Sequence, residues 1–168
     1  DPTTKTFYES DDYVNYTEDI YVGYRYFETF APEKVIYEFG FGLSYTTFDI
    51  KTDSVTNDGK NITVKATVKN TGSVAGKEVV QVYLSKPDGK LEQPYQDLVG
   101  FEKTKLLAPD ESVKVNIKFS LDDFAGYSTE DGAYILETGE YIVRVGNSSR
   151  NTHIATVLEL DSSIKTLA

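Results

Sequence analysis

The chain of 168 residues carries a formal net charge of −10 at pH 7 and contains neither cysteine nor tryptophan. The negative charge argues against nucleic acid and against an anionic membrane as partners, and the lack of cysteine excludes disulfide bonds and thiolate metal sites. No apolar run approaches the ~20 residues of a membrane-spanning helix, and no signal peptide is present.

The compartment stays open between the bacterial cytoplasm and secretion, because exported proteins can also lack cysteine. The first residue is Asp1 and not methionine, so we expect a piece of a longer protein whose export signals, if it has any, lie elsewhere. The length suits one ordinary domain with a modest extension.

A tyrosine-rich, acidic arm without a clear period occupies residues 1–38. Within it, residues 18–27 have the composition of an extended strand, with Gly23 as a bulge. Apolar side chains would fall on both faces of that strand, so both faces need cover. Two arrangements are open: the arm folds back over the domain, or it packs on protein that this chain lacks. We favour the second, because so aromatic an arm is poorly suited to water.

The character of the chain changes in the stretch Phe39–Phe48. Gly40 and Gly42 are flanked by aromatic residues, which predicts backbone packed so closely against rings that a Cβ would not fit. The β-branched and aromatic residues that follow, from Thr46 to Ile50, predict a first strand. We interpret the stretch as the hinge between the arm and a complete domain.

From this hinge onward, apolar and polar residues alternate with the period of two that is typical of half-buried strands. The pattern predicts strands at residues 46–50, 62–69, 78–85, 97–101, 113–119, 133–137, 141–145 and 154–160. The cleanest inward faces are formed by Val80, Val82 and Leu84 and by Val113, Val115, Ile117 and Phe119. The segments 133–137 and 141–145 are predicted to pair as the last hairpin. So many short strands with turn residues between them predict an all-β fold, an antiparallel two-sheet Greek-key sandwich of the immunoglobulin-like class.

Two local motifs refine this sandwich. Ser120 is placed to cap a helical turn at residues 121–127. The spacing of Leu136, Gly139 and Tyr141 is typical of a tyrosine corner, in which the phenolic hydroxyl bonds to nearby backbone.

Candidate chemistry is sparse. Four acidic pairs occur, at Asp11/Asp12, Glu18/Asp19, Asp122/Asp123 and Glu130/Asp131. Neighbouring residues of a strand point to opposite faces, and these pairs fall in predicted turns or in the arm, so we interpret them as solvated surface. His153 is the only histidine, which leaves no zinc cluster and no Ser-His-Asp triad. We therefore predict no catalytic residue, no metal site and no cofactor.

Sugar stacking is the one binding function that the residues suggest directly. Tyr95, beside Pro94 in a loop, and Tyr127 are the candidates, because a tyrosine ring can stack on a pyranose. Asn15, Asn61 and Asn147 match the N-glycosylation pattern, which matters only in a secretory eukaryotic host.

Several segments together resemble one known family. They are residues 18–25 (Glu-Asp-Ile-Tyr-Val-Gly-Tyr-Arg), 39–48 (Phe-Gly-Phe-Gly-Leu-Ser-Tyr-Thr-Thr-Phe), 68–72 (Val-Lys-Asn-Thr-Gly), 76–84 (Gly-Lys-Glu-Val-Val-Gln-Val-Tyr-Leu), 98–103 (Leu-Val-Gly-Phe-Glu-Lys) and 139–141 (Gly-Glu-Tyr). The sequence resembles the fibronectin type III-like domain of family 3 glycoside hydrolases, the β-glucosidase and β-xylosidase group. The resemblance covers nearly the whole chain in family order.

The resemblance implies a division of the chain. Residues 1–45 would be the end of the family's α/β sandwich domain (Tyr16–Tyr26) and a connector (residues 27–45). Residues 46–160 would be the fibronectin type III-like accessory domain, and residues 161–168 a tail or linker. The tail hints at a domain that is internal in its parent enzyme, with the barrel half following it.

The resemblance also implies partners and a role. Family enzymes are retaining glycosidases whose nucleophile lies in a Ser-Asp-Trp-type motif on a barrel domain, and this chain has no tryptophan and no barrel, so the isolated chain should be inactive. The partners would be the catalytic domains of the parent glycosidase, with docking expected at Tyr21, Tyr24, Arg25, Tyr26, Phe41 and Tyr45. The alternatives are a module that binds a polysaccharide and a subunit contact of an oligomeric enzyme.

Overall fold

The computed structural model describes residues 7–9, 12–59 and 61–167. The strands are β1 (Phe7–Glu9), β2 (Val14–Tyr16), β3 (Phe48–Asn57), β4 (Asn61–Asn70), β5 (Val79–Ser85), β6 (Asp97–Lys103), β7 (Ser112–Ser120), β8 (Gly126–Ser128), β9 (Ala133–Leu136), β10 (Gly139–Gly146), β11 (Thr152–Leu160) and β12 (Ile164–Leu167). One helix, α1 (Tyr24–Phe30), and two 3₁₀ turns (Pro32–Lys34 and Asp122–Phe124) complete the described part. No helix in it has the length and apolarity to cross a membrane.

Two antiparallel sheets face each other. One has the strand order β11-β10-β5-β6 and the other the order β3-β4-β7. A smaller sheet of order β12-β9-β8 extends the structure, and β1 pairs with β2 in a separate ladder. From β3 onward, the chain passes to another sheet after β4, β6, β7, β9 and β11. The predicted antiparallel sandwich is confirmed.

The core lies between the two larger sheets and follows from the alternation in the sequence. Every second residue of β4 is buried, and the matching positions of β5, β7 and β10 face it. The members of the core include Ile62, Val64, Ala66, Val68, Val80, Val82, Leu84, Val115, Ile117, Phe119, Val143 and Val145. Burial of each large aliphatic side chain is worth about 2 kcal/mol. Of the predicted inward residues only Val113, at the start of β7, is half-buried.

Three strands carry one extra residue each. The register shifts leave Asp53 of β3, Val99 of β6 and Ala155 of β11 without a partner in the ladder. All three strands lie at an edge of their sheet. A bulge at an edge bends the strand and increases its twist.

The predicted hairpin of residues 133–137 and 141–145 is wrong. β9 pairs with β8 and β12, whereas β10 pairs with β5 and β11. Gly139 has a φ of 132°, a conformation that glycine adopts readily and other residues rarely, and the chain changes sheets there. The Tyr141 hydroxyl donates to the main-chain oxygen of Glu137 at 2.7 Å, as the tyrosine-corner motif predicts.

The predicted strand at residues 18–27 is also wrong, because α1 begins inside it. Gly23 has φ 62° and ψ −126°, which turns the chain out of an extended conformation. The helix that follows binds the sandwich through Tyr24, Arg25 and Glu28, and these tertiary contacts outweigh the strand preference of tyrosine and phenylalanine.

Two smaller predictions are revised. The 3₁₀ turn at Asp122–Phe124 has Leu121 at its cap position, and Ser120 Oγ accepts a 3.3 Å hydrogen bond from the Asp122 N–H. The chain also adds a strand after Leu160, since β12 pairs with β9.

Candidate functional site

The helix α1 is bound to the sandwich through one face, the inner face (Tyr24, Arg25, Glu28). The Tyr24 hydroxyl accepts the N–H of Leu98 at 2.7 Å. Arg25 Nε lies 2.8 Å from Asp97 Oδ1, and Lys86 Nζ lies 3.0 Å from the other oxygen of the same carboxylate. Asp97 is buried, so its charge is compensated by two cations, one of them from the arm.

Glu28 binds the loop between β10 and β11. Its carboxylate accepts from Arg150 Nε at 3.0 and 3.1 Å and from Ser149 Oγ at 2.9 Å. Arg150 also donates to the main-chain oxygen of Pro32 at 2.7 Å. Ser149 is buried, and charge-assisted bonds of this kind are about twice as strong as neutral ones.

The connector after the helix is held by the same loop. Ser148 Oγ donates to Glu38 at 3.0 Å, and the Ser149 N–H donates to the oxygen of Phe39 at 2.8 Å. Residues 24–39 therefore fold back over the sandwich, which corrects the arrangement favoured from the sequence for this part of the arm.

Beneath the helix lies Tyr83, a fully buried residue on the outer face of β5. Its ring meets that of Tyr24 edge to face, with the centroids 6.1 Å apart, and its hydroxyl donates to Gln81. Burial, and then the nearby Tyr24 and Glu28, raise the pKa of Tyr83 well above the usual value for a phenol. The arm thus covers a sheet face that carries polar as well as aromatic groups.

A partly exposed group of aromatic rings lies on the other side of the helix, with Phe27 and Phe30 exposed and Tyr21 and Tyr26 half-buried. This outer aromatic cluster consists of Tyr21, Tyr26, Phe27 and Phe30. The ring centroids are 4.7 Å apart for Tyr21 and Phe30, 5.5 Å for Tyr26 and Phe30, and 5.4 Å for Tyr26 and Phe27. Phe30 is 56% exposed. Partial desolvation, and then Glu92 and Asp19, raise the pKa of Tyr21.

A second apolar surface follows directly in the chain. This connector strip consists of the exposed side chains of Ile36, Tyr37, Phe39, Phe41, Leu43 and Tyr45. Leu43 is 95% exposed and Tyr45 97%, and the rings of Tyr37 and Phe41 stack at 4.8 Å. The strip borders a groove of about 710 Å³, which is lined by Glu38, Phe41, Leu43, Glu78, Gln81 and Asn147 among others.

The end of the connector is fixed by a buried amide. Asn70 Oδ1 accepts from Thr46 Oγ1 at 2.7 Å and from the N–H of Gly72 at 3.0 Å. Its Nδ2 donates to the oxygens of Val74 and Leu107 at 2.8 and 2.9 Å. The amide oxygen thus accepts two hydrogen bonds and the amide nitrogen donates two, which uses the full capacity of this side chain. These bonds fix the point at which the connector enters the sandwich.

The close glycine packing predicted for Gly40 and Gly42 is found at Gly40 alone, and there against an amide side chain. A Cβ on Gly40 would lie 2.4 Å from Gln81 Nε2, an amide and not a ring, whereas one on Gly42 would meet no atom within 4 Å. A Cβ on Gly72 would lie 2.2 Å from Thr46 Oγ1, which is a second close approach, on the far side of the hinge.

The structure separates the two tyrosines considered for sugar stacking. Tyr95 lies in a loop with the Arg144 guanidinium 5.5 Å from its ring centroid. Tyr127 of β8 contacts Tyr134 of β9, with the ring centroids 5.2 Å apart and an angle of 61° between the ring planes. These rings are exposed, but neither contact forms a flat pair of coplanar rings.

The acidic residues and His153 form no centre. The described members of the four acidic pairs are exposed, while Asp11 lies outside the described residues. His153 Nε2 shares a 2.9 Å hydrogen bond with Thr52 Oγ1. Among the residues that the structure describes, no group of three or more His, Cys, Asp or Glu could hold a metal ion.

The residues predicted to dock on the catalytic domains fall into two groups in the structure. Tyr24 and Arg25 face the sandwich, whereas Tyr21 and Tyr26 belong to the outer aromatic cluster and Phe41 and Tyr45 to the connector strip. Sequence reasoning missed Glu28, Glu38, Ser149 and Arg150. A serine or a glutamate in a loop carries no spacing signal, and only the fold brings these residues together.

Residues 78–149 match the sequence profile of the fibronectin type III-like domain. The chain is 47% identical over 176 residues to β-glucosidase A of Butyrivibrio fibrisolvens, covering 91% of this chain and 21% of that protein. It is 46% identical over 169 residues to a β-glucosidase of Ruminococcus albus, covering 96% of this chain and 17% of that protein.

Among solved structures, a β-glucosidase of Paenibacillus barengoltzii superposes with a TM-score of 0.85 at 43% identity, covering 89% of this chain and 18% of that one. The chain thus spans about one fifth of the length of the relatives that it matches.

Proposed function

Because the chain belongs to the fibronectin type III-like domains of family 3 β-glucosidases, we propose that it is a non-catalytic accessory domain of a β-glucosidase-like enzyme. In this proposal, the domain packs on the catalytic domains and stabilises them. The reaction of the whole enzyme, hydrolysis of O-glycosidic bonds, is part of this proposal.

The connector strip is the observation that carries the proposal. Its six large apolar side chains lie within ten residues of chain, and all are exposed. A contiguous exposed apolar patch of this kind is unusual on a soluble monomer and is typical of an interface. The relatives are about five times longer than this chain, so they contain other polypeptide that would cover the strip.

The rigid entry of the connector adds support. Because Asn70 fixes Thr46 at the start of the sandwich, the strip is presented at a constant position relative to the two sheets. A preorganised surface binds with less loss of conformational entropy than a flexible one.

A catalytic role for the chain itself has no support in the geometry. Glycoside hydrolysis requires two carboxyl groups at a set separation across a cleft. The carboxylates of Asp97 and Glu28, whose side chains are only 7% and 8% exposed, hold the arm on the sandwich. Polysaccharide binding, the alternative, would be favoured by coplanar exposed rings, and the 61° angle between Tyr127 and Tyr134 does not favour it.

The test uses the full-length polypeptide that carries this domain. We expect Leu43→Ser/Tyr45→Ser to lower the Tm by several degrees and to reduce the half-life of activity on heating, because the covered strip would become polar. Leu167→Ser is the matched control, since Leu167 is an exposed apolar residue of β12, in the small sheet and not in the connector. Unchanged melting and activity of the double variant would refute the stabilising role.

A further inference from the structure

The helix α1 has the reverse of the usual polarity of a surface helix. Its two charged residues, Arg25 and Glu28, lie against the sandwich beside Tyr24. Phe27 and Phe30 are exposed, and the half-buried Tyr26 contacts both of their rings. A helix on the surface of a monomer normally buries its apolar stripe and exposes its charges. An inverted helix of this kind suits a position between two bodies of protein.

We propose that α1 is an adapter between the sandwich and the catalytic part of the polypeptide, which rests on the outer aromatic cluster. The ion pairs of the inner face then determine how strongly the unfolding of the two parts is coupled. This inference rests on the proposed function and assigns to it a second contact besides the connector strip.

The inner face of the helix is bound strongly enough to the sandwich for such a role. A helix of seven residues is too short to be stable in water by itself, so α1 depends on its contacts with the sandwich. Asp97 would lose one of its two cations if the helix detached, and a buried carboxylate with reduced compensation is costly. Detachment of the helix would also break the ion pair between Glu28 and Arg150. Detachment of the helix is therefore unfavourable, and a partner bound to the outer aromatic cluster is connected to the sheets through these contacts.

The outer aromatic cluster has the composition of an interface core. It contains two tyrosines and two phenylalanines in a chain whose net charge is −10, and the carboxylates near it, Glu92 and Asp19, lie on the side of Tyr21. Aromatic residues are enriched and charged residues depleted at the centres of protein interfaces. Tyr26, Phe30 and Tyr21 already contact one another, so a partner would meet a preformed surface.

The occupant that fits is the part of the same polypeptide that this chain does not span. The chain covers 21% of its relative from B. fibrisolvens and 17% of that from R. albus. The ladder of β1 and β2, which precedes α1, leaves Tyr13 and Val14 exposed, and two strands alone are marginally stable. A sugar polymer is a poorer match, because the cluster rings meet at 65°, 52° and 88° and form no flat platform.

Hydroxyl-radical footprinting of the full-length polypeptide separates the two claims. We expect Tyr26, Phe27 and Phe30 to be labelled several-fold more slowly than Tyr127 and Tyr134, the exposed tyrosine pair of the small sheet. Labelling of the cluster at the rate of that pair would overturn the adapter. If Leu43 and Tyr45 were protected in that case, the proposed function would stand without the adapter; if they were labelled too, both would fail.

A variant tests the coupling. Arg25→Met keeps most of the apolar stem and leaves the Lys86–Asp97 pair in place. It therefore removes one ion pair between the helix and the sandwich, while the contacts of Tyr24 and Glu28 remain. We expect calorimetry of the full-length polypeptide to show a broadened or split transition at lower temperature. The control is Lys165→Met, which breaks the exposed pair with Asp131. A single transition at the unaltered Tm for Arg25→Met would overturn the coupling.

Discussion

The hydroxyl of Tyr141 donates a 2.7 Å hydrogen bond to the main-chain oxygen of Glu137, at the point where the chain passes from the small sheet to the large one. Tyr141→Phe removes this bond and leaves a carbonyl without its donor, so we expect a loss of about 1–2 kcal/mol of unfolding free energy. Urea titration measures it. Tyr127→Phe, on an exposed ring, is the control, and an equal loss in both variants would contradict the assignment.

The same residue makes the domain sensitive to alkali. Burial and the charge of Glu137 raise the pKa of Tyr141 to about 12, from 10.0. The folded state therefore keeps a proton that the unfolded state releases, so stability is full below pH 10 and falls as the pH rises through 12. The loss approaches about 2 kcal/mol. Unfolding curves at pH 9, 10 and 11 would show it, and Tyr141→Phe should reduce the slope; an unchanged slope would contradict it.

The buried amide of Asn70 tolerates no carboxylate. Asn70→Asp replaces the donor to Val74 and Leu107 with an acceptor and buries a charge, so we expect a loss of about 3 kcal/mol or more. The control is Asn57→Asp, because the side-chain oxygen of the exposed Asn57 accepts a bond from the Gly59 N–H, which a carboxylate also does. Equal melting temperatures for the two variants would show that the Asn70 contacts are dispensable.

Two glycines near the hinge should respond differently to one methyl group. In Gly72→Ala the new Cβ would lie 2.2 Å from Thr46 Oγ1 and 2.8 Å from the Thr47 nitrogen, and main-chain atoms cannot easily move aside. We expect a loss of about 2 kcal/mol. In Gly42→Ala the Cβ meets nothing within 4 Å, and we expect a change within about 0.5 kcal/mol. Thermal melting of both would decide, and a tolerated Gly72→Ala would show that the hinge is plastic.

The chain should not bind polysaccharide. The rings of Tyr127 and Tyr134 are not coplanar, and Arg144 lies over the ring of Tyr95. We therefore expect the same mobility in native gels with and without soluble derivatives of cellulose, xylan, laminarin or lichenan. Retardation by one polymer that is abolished by Tyr95→Ala or Tyr127→Ala would instead identify a binding module.

The sandwich was predictable because its information is local. The alternation in β4, β5 and β7 sets which residues face the core, and the spacing of Gly139 and Tyr141 identifies the corner. Which strand pairs with which is not local, and β9 was assigned to β10 because the two are neighbours in sequence. The corner itself separates them, since the chain changes sheets within it.

The arm was harder to predict for a physical reason. A strand and a seven-residue helix rich in tyrosine and phenylalanine have similar compositions, and α1 exists because of Asp97 and Arg150, which lie about 70 and 125 residues further along the chain. Phe41 and Tyr45 of the connector strip can be identified from the sequence, but their docking role stays a prediction. The inward direction of Arg25 and Glu28 depends on partners that no pattern in the sequence marks.

The three bulges have a consequence for the behaviour of the protein at high concentration. An unpaired edge strand is a template on which another chain can add a strand and begin to aggregate. Asp53, Val99 and Ala155 interrupt three of the four edges of the two larger sheets, and the remaining edge, β7, presents the exposed Lys114 and Lys118. Each edge of the two larger sheets thus carries a feature that disfavours edge-to-edge polymerisation, which leaves association to the apolar surfaces of the arm and connector.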